Sequence, residues 1–190
     1  NTGVNEVISG IVVGQGQVSV NNNFGEILPA KLSGYVYEDA GNDGVRNSEP
    51  AIAGVTVKLT GTDDRGNAVT ATTTTNAAGF YEFLNLRPGN YTVTETQPAY
   101  LDGKETAGST GGSTAVNDVI SGITLVSGAN SVENNFGELR AAALGDRLWT
   151  DTNANGKQDG GELGIVGRTV TLIGGGADGL INGVGDTTAT

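Results

Sequence analysis

"FYEFLNLRPGNYTVTET", residues 80–96, holds two runs in which aromatic or branched residues alternate with polar ones, divided by a Pro-Gly pair. A period of two is the pattern of a half-buried strand. It sets Tyr81 and Phe83 on one face, and Tyr91 and Val93 on one face of the next run. Pro88 fixes φ and Gly89 permits a positive φ, so the pair predicts a type II turn between two antiparallel strands. Similar runs lie on both sides: LSGYVYE (32–38), VTVKLTG (55–61), AVTATTTT (68–75), ISGITLVSG (120–128) and NSVENNFGE (130–138). Seven short strands in about 110 residues predict an all-β, Ig-like sandwich of two antiparallel sheets. An open barrel is the other arrangement compatible with this spacing.

Composition narrows the chemistry. The 190 residues include no histidine, cysteine or methionine. Disulfides, thiolate or imidazole metal sites, thiol nucleophiles and serine–histidine dyads are therefore excluded. Ten basic and 21 acidic residues give a net charge of −11, which repels nucleic acid and anionic lipid and attracts cations. Glycine at 32 of 190 suits tight turns between short strands. No apolar run is long enough to span a membrane. No signal peptide is visible at Asn1, so the chain reads as an internal or processed piece.

An internal repeat organises the rest. VNEVISGI (4–11) returns as VNDVISGI (116–123), and NNFGE (22–26) returns at 134–138, both 112 positions later. The register continues through Leu32 and Leu144, Asp39 and Asp151, Gly44 and Gly156. After one inserted residue, GVTVKL (54–59) matches GRTVTL (167–172). Residues 1–29 read as the end of one repeat, 30–140 as a complete one and 141–190 as the start of a third. Residues 1–29 and 141–190 together lack the equivalents of 78–112, which argues against a full rebuild of a bead by strand exchange between two chains. The expectation is a covalent array of tandem β-sandwich repeats, linked through short joints such as ELRAAAL (138–144).

The predicted site is DTNANGKQDGGE, residues 151–162. Asp151, Asn153, Asn155, Asp159 and Glu162 stand at positions 1, 3, 5, 9 and 12 of an EF-hand-type calcium loop, with Gly156 at position 6. Lys157 supplies the position-7 carbonyl. The flanking LGDRLWT and GIVGRTVTLI read as strand, so this loop bridges strands where an EF-hand bridges helices. The same content also suits an Asx-rich turn without an ion. The matching loop DAGNDGVRNSEP (39–50) keeps Asp39, Asp43 and Asn47, with Gly44 at position 6 and the Val45 carbonyl at position 7. Gly41 replaces a ligand, and a missing residue leaves Glu49 at position 11. A weaker site is expected there.

The loop followed by GRTVTL, together with TNAAGFYEFLNLRPGNYTV in the complete repeat, resembles the B-type domain of serine–aspartate-repeat surface proteins. That domain is in turn similar to the prealbumin-like B-type domain of collagen adhesins. The resemblance implies calcium-rigidified stalks and adhesive arrays on bacterial surfaces. It also raises a lysine–asparagine isopeptide crosslink, with Lys31 and Asn134 or Asn135 as candidates and Glu82 or Glu95 as proton relay. Lys31 becomes Ala143 in the next repeat, which argues against it.

Tyr35, Tyr37, Phe80, Tyr81 and Trp149 read mainly as core, with a sugar-stacking platform as the competing reading. NYT at 90–92 matches a glycosylation acceptor but lies on a predicted strand. The function expected is a structural, calcium-stiffened repeat of an extracellular stalk, fibre or surface layer. Its partners would be neighbouring repeats of the same chain or identical chains. The alternative is an adhesin repeat that itself binds a surface, matrix or carbohydrate ligand. An enzyme would have to work with carboxylates alone, and the best acidic cluster is already read as a metal site.

Overall fold

A computed structural model of the chain describes residues 7–174 and 187–189. The chain divides into two compact units, 1–141 and 142–190. Among the described residues there is no helix.

The first unit is a two-sheet sandwich. One sheet contains β1 (Ala30–Glu38), β4 (Phe80–Leu86), β6 (Leu101–Thr106), β9 (Asn130–Ser131) and β10 (Asn135–Leu139). Its order is β4-β1-β10-β6, with β9 also paired to β1. The other contains β2 (Thr56–Asp63), β3 (Ala68–Thr74), β5 (Gly89–Glu95), β7 (Ser113–Val116) and β8 (Val119–Leu125), in the order β3-β2-β5-β8-β7. Inward residues of both sheets form one core. Leu32, Val36, Tyr81 and Phe136 meet Val57, Leu59, Tyr91, Val93, Ile120 and Ile123, all at most 1% exposed. Each such side chain contributes roughly 1.5–3 kcal/mol by leaving water.

Three features differ from the sequence expectation. β4 and β5 do not pair: β4 lies against β1, and β5 between β2 and β8. Pro88-Gly89 is thus a crossing between sheets. The left-handed residue there is Asn85, at φ 56°, and Gly89 does not have a positive φ. Gly89 is required for another reason, since a Cβ there would stand 2.4 Å from the Thr62 carbonyl oxygen. The Tyr91 hydroxyl, donating to the Arg87 carbonyl at 2.8 Å, pins the corner.

Second, the first sheet is mixed, because β1 pairs in parallel with β9 and β10. The long crossover that parallel pairing needs is supplied by the rest of the repeat. Third, β6 and β7 carry no apolar alternation, so the sequence pattern misses them. They are the end strands of their sheets, where polar residues guard the edge.

Partner strands decide whether the repeated motif is buried. Ile120, Ile123 and Phe136 are buried within the sandwich, whereas their register equivalents Ile8, Ile11 and Phe24 are exposed. Among the described residues of 1–29 there is no strand. In the second unit, the strands expected around 151–162 reduce to a bridge between Trp149 and Gly164 and to β11 (Leu172–Gly174). β11 pairs antiparallel with β12 (Thr187–Ala189).

Candidate functional site

The 151–162 loop is bent around its first residue. Asp151 accepts from the backbone N–H of Asn155 through Oδ1 at 3.2 Å, and from that of Gly156 through Oδ2 at 2.8 Å. Asn153 and Asn155 each accept from the N–H two residues on, at 3.1 and 2.7 Å. Ala154 (φ 56°) and Gly156 (φ 72°) turn the chain through the left-handed region. Asp159 Oδ2 receives the side-chain amides of Asn153 and Asn155 at 2.8 and 2.6 Å, so three expected ligand residues meet at one point. Glu162 closes the loop by accepting from the N–H groups of Thr152 and Asp159. Lys157 is held through its own N–H, which is the donor to Asn155.

The 39–49 loop repeats this scheme. Asp39 accepts from Asp43 N–H at 3.1 Å and Gly44 N–H at 2.7 Å, Asp43 from Val45 N–H at 2.8 Å, and Glu49 from Asn47 N–H at 3.4 Å. Asn42 (φ 47°) and Gly44 (φ 77°) match Ala154 and Gly156. The stems match too. Glu38 N–H donates to Pro50 and Ile52 N–H to Val36; Thr150 N–H donates to Leu163 and Ile165 N–H to Leu148. Tyr37–Ala51 and Trp149–Gly164 are the corresponding bridges. The Tyr37 hydroxyl and the Trp149 indole N–H are both buried without a partner.

The donor set fits a hard divalent cation: carboxylate, amide and carbonyl oxygens alone, on backbone already curved toward the first aspartate. The Asp159 carboxyl is held below the usual range by the Asn153 amide first and then by Asn155, and that of Glu162 by the Asp159 and then the Thr152 N–H. Both are thus anionic at neutral pH, as ligands to calcium must be. At the vacant ligand position of the first loop, a Cβ on Gly41 would lie 3.9 Å from both Asp39 Oδ1 and the Asp43 carboxyl carbon.

The loops differ in support. Asp39 is fully buried, and its N–H donates to the Glu138 carbonyl at 2.8 Å. Thr106 Oγ1 donates to the Gly44 carbonyl at 2.5 Å, and the Arg46 guanidinium lies 3.6 Å over the Tyr35 ring. Asp151 is only half-buried, and residues 152–161 are exposed.

Of the five candidate core aromatics, Tyr37 and Tyr81 are buried, while Tyr35, Phe80 and Trp149 are partly exposed. Tyr35 and Phe80 pack together with ring centroids 5.2 Å apart. The structure does not assemble the isopeptide crosslink. Lys31 is exposed, and the buried Asn134 amide donates to the Ser33 carbonyl and Ser131 Oγ. Asn135 accepts from Tyr35 N–H and donates to Glu133.

A further acidic cluster escaped the sequence reading. Carboxylate oxygens of Glu95, Asp118 and Glu138 lie within 4.8 Å of one another, as do those of Asp102, Glu105 and Asp118. These residues span 95–138 and converge only through packing of the two sheets. A signal was present, since the inward alternation Tyr91, Val93 ends on Glu95, and Phe136 is followed at the same spacing by Glu138.

The sequence model of the SdrD B-like domain family matches residues 30–137 and 142–190. Serine-aspartate repeat-containing protein F of Staphylococcus epidermidis (strain ATCC 12228 / FDA PCI 1200) is 39% identical over 145 residues, covering 74% of this chain and 9% of that protein. Serine-aspartate repeat-containing protein D of Staphylococcus aureus (strain Newman) is 37% identical over 172 residues, covering 87% of this chain and 12% of that protein. The chain thus spans about a tenth of the length of these relatives. With the family model matching most of its residues, the chain belongs to the SdrD B-like domain family.

Proposed function

We propose that this chain is a structural segment of a cell-surface or extracellular array, stiffened by calcium bound in the 151–162 loop and more weakly in the 39–49 loop. Asp151, Asn153, Asn155, Asp159 and Glu162, with the Lys157 carbonyl, hold the ion in the first case. Asp39, Asp43, Asn47 and Glu49, with the Val45 carbonyl, hold it in the second. The observation that carries this reading is the shared hydrogen-bond scheme, in which two loops 112 residues apart wrap the same backbone N–H groups around their first aspartate. An ion seated there cross-links a turn that otherwise relies on exposed hydrogen bonds, and binding only the folded loop stabilises it by mass action.

The array reading assigns 1–29, 30–140 and 141–190 to three successive repeats joined covalently. It assigns them no catalysis, since the family is a repeat domain of long proteins that the relatives' names describe by their serine–aspartate repeats. Trp149, the single tryptophan, lies two residues before Asp151 and reports on that loop. Calcium titration should change its fluorescence with half-saturation at roughly 10⁻⁴–10⁻³ M, the range of extracellular modules. Asp151→Ala should abolish the response. An indole signal that ignores calcium would defeat the reading.

A further inference from the structure

The carboxylates of Glu95, Asp102, Glu105, Asp118 and Glu138 gather where the two sheets meet. Glu95 lies on β5 of one sheet; Asp102 and Glu105 on β6 and Glu138 on β10 lie in the other; Asp118 sits in the β7–β8 turn. Glu95 is 4% exposed, and neither of its carboxyl oxygens has a hydrogen-bond partner. Asp102 Oδ1 and Asp118 Oδ1 are buried and unpartnered as well. Two donors reach the group: the Gln97 amide to Glu138 Oε2 at 2.5 Å, and Asp118 N–H to Glu105 Oε1 at 2.7 Å. The charges that act on Glu95 are all negative, from Glu138, Asp118, Glu105 and Asp102, and the nearby Tyr81 hydroxyl is committed to the Asn134 carbonyl.

Buried carboxylates without donors or counter-charge are costly, and the cost is removed by protons or by a cation. Oxygens on opposite sides of a calcium ion, each 2.3–2.6 Å from it, stand no more than about 5 Å apart. The Glu95, Asp118 and Glu138 oxygens all lie within 4.8 Å of one another, inside that span. Carboxylates as the only ligands exclude soft metals. So many of them suits the 6–8 oxygen shell of calcium better than magnesium, which typically takes one or two and keeps its waters.

We propose that Glu95, Asp118 and Glu138, extended through Asp118 to Asp102 and Glu105, form an interior calcium site that ties the two sheets together and is separate from both loops. Gln97 acts as a positioning residue, orienting Glu138 through its amide. Burial first, then the neighbouring acids, raises Glu95 to about 9; burial raises Glu138 to about 7. Binding therefore displaces protons, unlike binding at the loops, where Asp159 and Glu162 are already ionised.

The test is calorimetric titration of the 190-residue chain with calcium chloride at pH 7.5. Asp39→Asn with Asp151→Asn removes the leading ligand of each loop. That double variant should still bind one ion, and adding Glu95→Gln should abolish the binding. Glu95→Gln alone should lower the stoichiometry by one and leave the Trp149 response intact. Affinity at the interior site should fall at least ~100-fold between pH 7.5 and 5.5, a factor of ten per unit for each proton displaced. Should Glu95→Gln lose strand content, Asp118→Asn serves instead; asparagine tolerates the φ of 59° there, and binding should weaken at least ~10-fold. Unchanged stoichiometry and affinity in both variants, or a folded double variant that binds no calcium, would overturn the proposal and leave the cluster as carboxyls neutralised by protons. An ion lost with Glu95→Gln in a chain whose loops take up none would sink the loop reading and leave this one standing.

Discussion

The two loops invert the relation between ligands and support. The 151–162 loop has an oxygen-bearing residue at every expected position, yet its residues 152–161 are exposed. The 39–49 loop lacks a ligand at Gly41 and one residue of length, yet Asp39 is fully buried against β10 and Gly44 is tied to Thr106. The same backbone scheme survives both conditions. In the 39–49 loop it is held by the sandwich beneath; in the 151–162 loop the hydrogen bonds come from the loop itself and its stem. Ligand count and loop geometry are therefore separable, and each can be perturbed alone.

The largest effect expected acts through that base, since Asp39 rests on the backbone of Glu138. Glu95 and Glu138 have folded pKa values raised to about 9 and about 7. The native state thus holds protons that the unfolded chain releases above its own carboxyl pKa of about 4.5. Stability from these groups is complete below that value and is lost as pH rises through 7 and 9. In chelator, raising pH from 5 to 9 should remove about 4 kcal/mol or more from the unfolding free energy of the sandwich. The lowered carboxyls, Asp159 and Glu162 among them, titrate below this window. Urea unfolding followed by circular dichroism measures it, and a curve that is flat or rises over this range breaks the asymmetry.

Next in size is removal of each leading aspartate, again in chelator. Asp39→Ala removes a fully buried carboxylate and deprives exposed Asp43 and half-buried Gly44 of the acceptor for their N–H groups, and should cost about 1–3 kcal/mol. Asp151→Ala frees its two N–H groups at an exposed site, where water takes over, and should cost below about 1 kcal/mol. Equal costs would mean that the two loops are supported alike.

Calcium should then reverse the ranking. At a hundredfold excess over its dissociation constant, the ion stabilises the 151–162 loop by about 2.7 kcal/mol. The 39–49 loop should need roughly tenfold more calcium for the same occupancy, as ligand count sets affinity. Titrating Asp39→Asn and Asp151→Asn chains separately measures the gap. The smallest effect is a repair. Gly41→Asp places a carboxylate between those of Asp39 and Asp43 and should strengthen calcium binding by about 1 kcal/mol, at a slight cost without the ion. No gain would show that the missing residue before Glu49, and not the missing ligand, limits that loop.

Local patterns read true where one strand's alternation decides its fate. β1 to β5 and β8 lie within one to three residues of their sequence expectation. Pairing was less legible. Pro88-Gly89 suits a hairpin in isolation, but Tyr91, Val93 and the Gly89–Thr62 contact commit β5 to the opposite sheet from β4. The parallel β1–β10 ladder joins residues some 100 positions apart, which no local pattern encodes. The loops were legible because their ligands are contiguous. Glu95 and Glu138 were legible only as inward positions, since their meeting depends on the distance between sheets.

The parallel ladder between β1 and β10 has a mechanical consequence. The chain enters the sandwich at Ala30 and leaves at Leu139, and Glu38 pairs with Glu138 at the exit. Entry and exit thus sit at opposite ends of adjacent strands, about 25 Å apart at 3.3 Å per residue. Tension between them would pull β1 backward and β10 forward along a shared row of hydrogen bonds. That row is loaded in shear, so its bonds must fail together, whereas an antiparallel pair pulled from one end would unzip in sequence. Force spectroscopy on tandem copies should find a high rupture force for this sandwich, and a low, gradual one would show that the ladder peels.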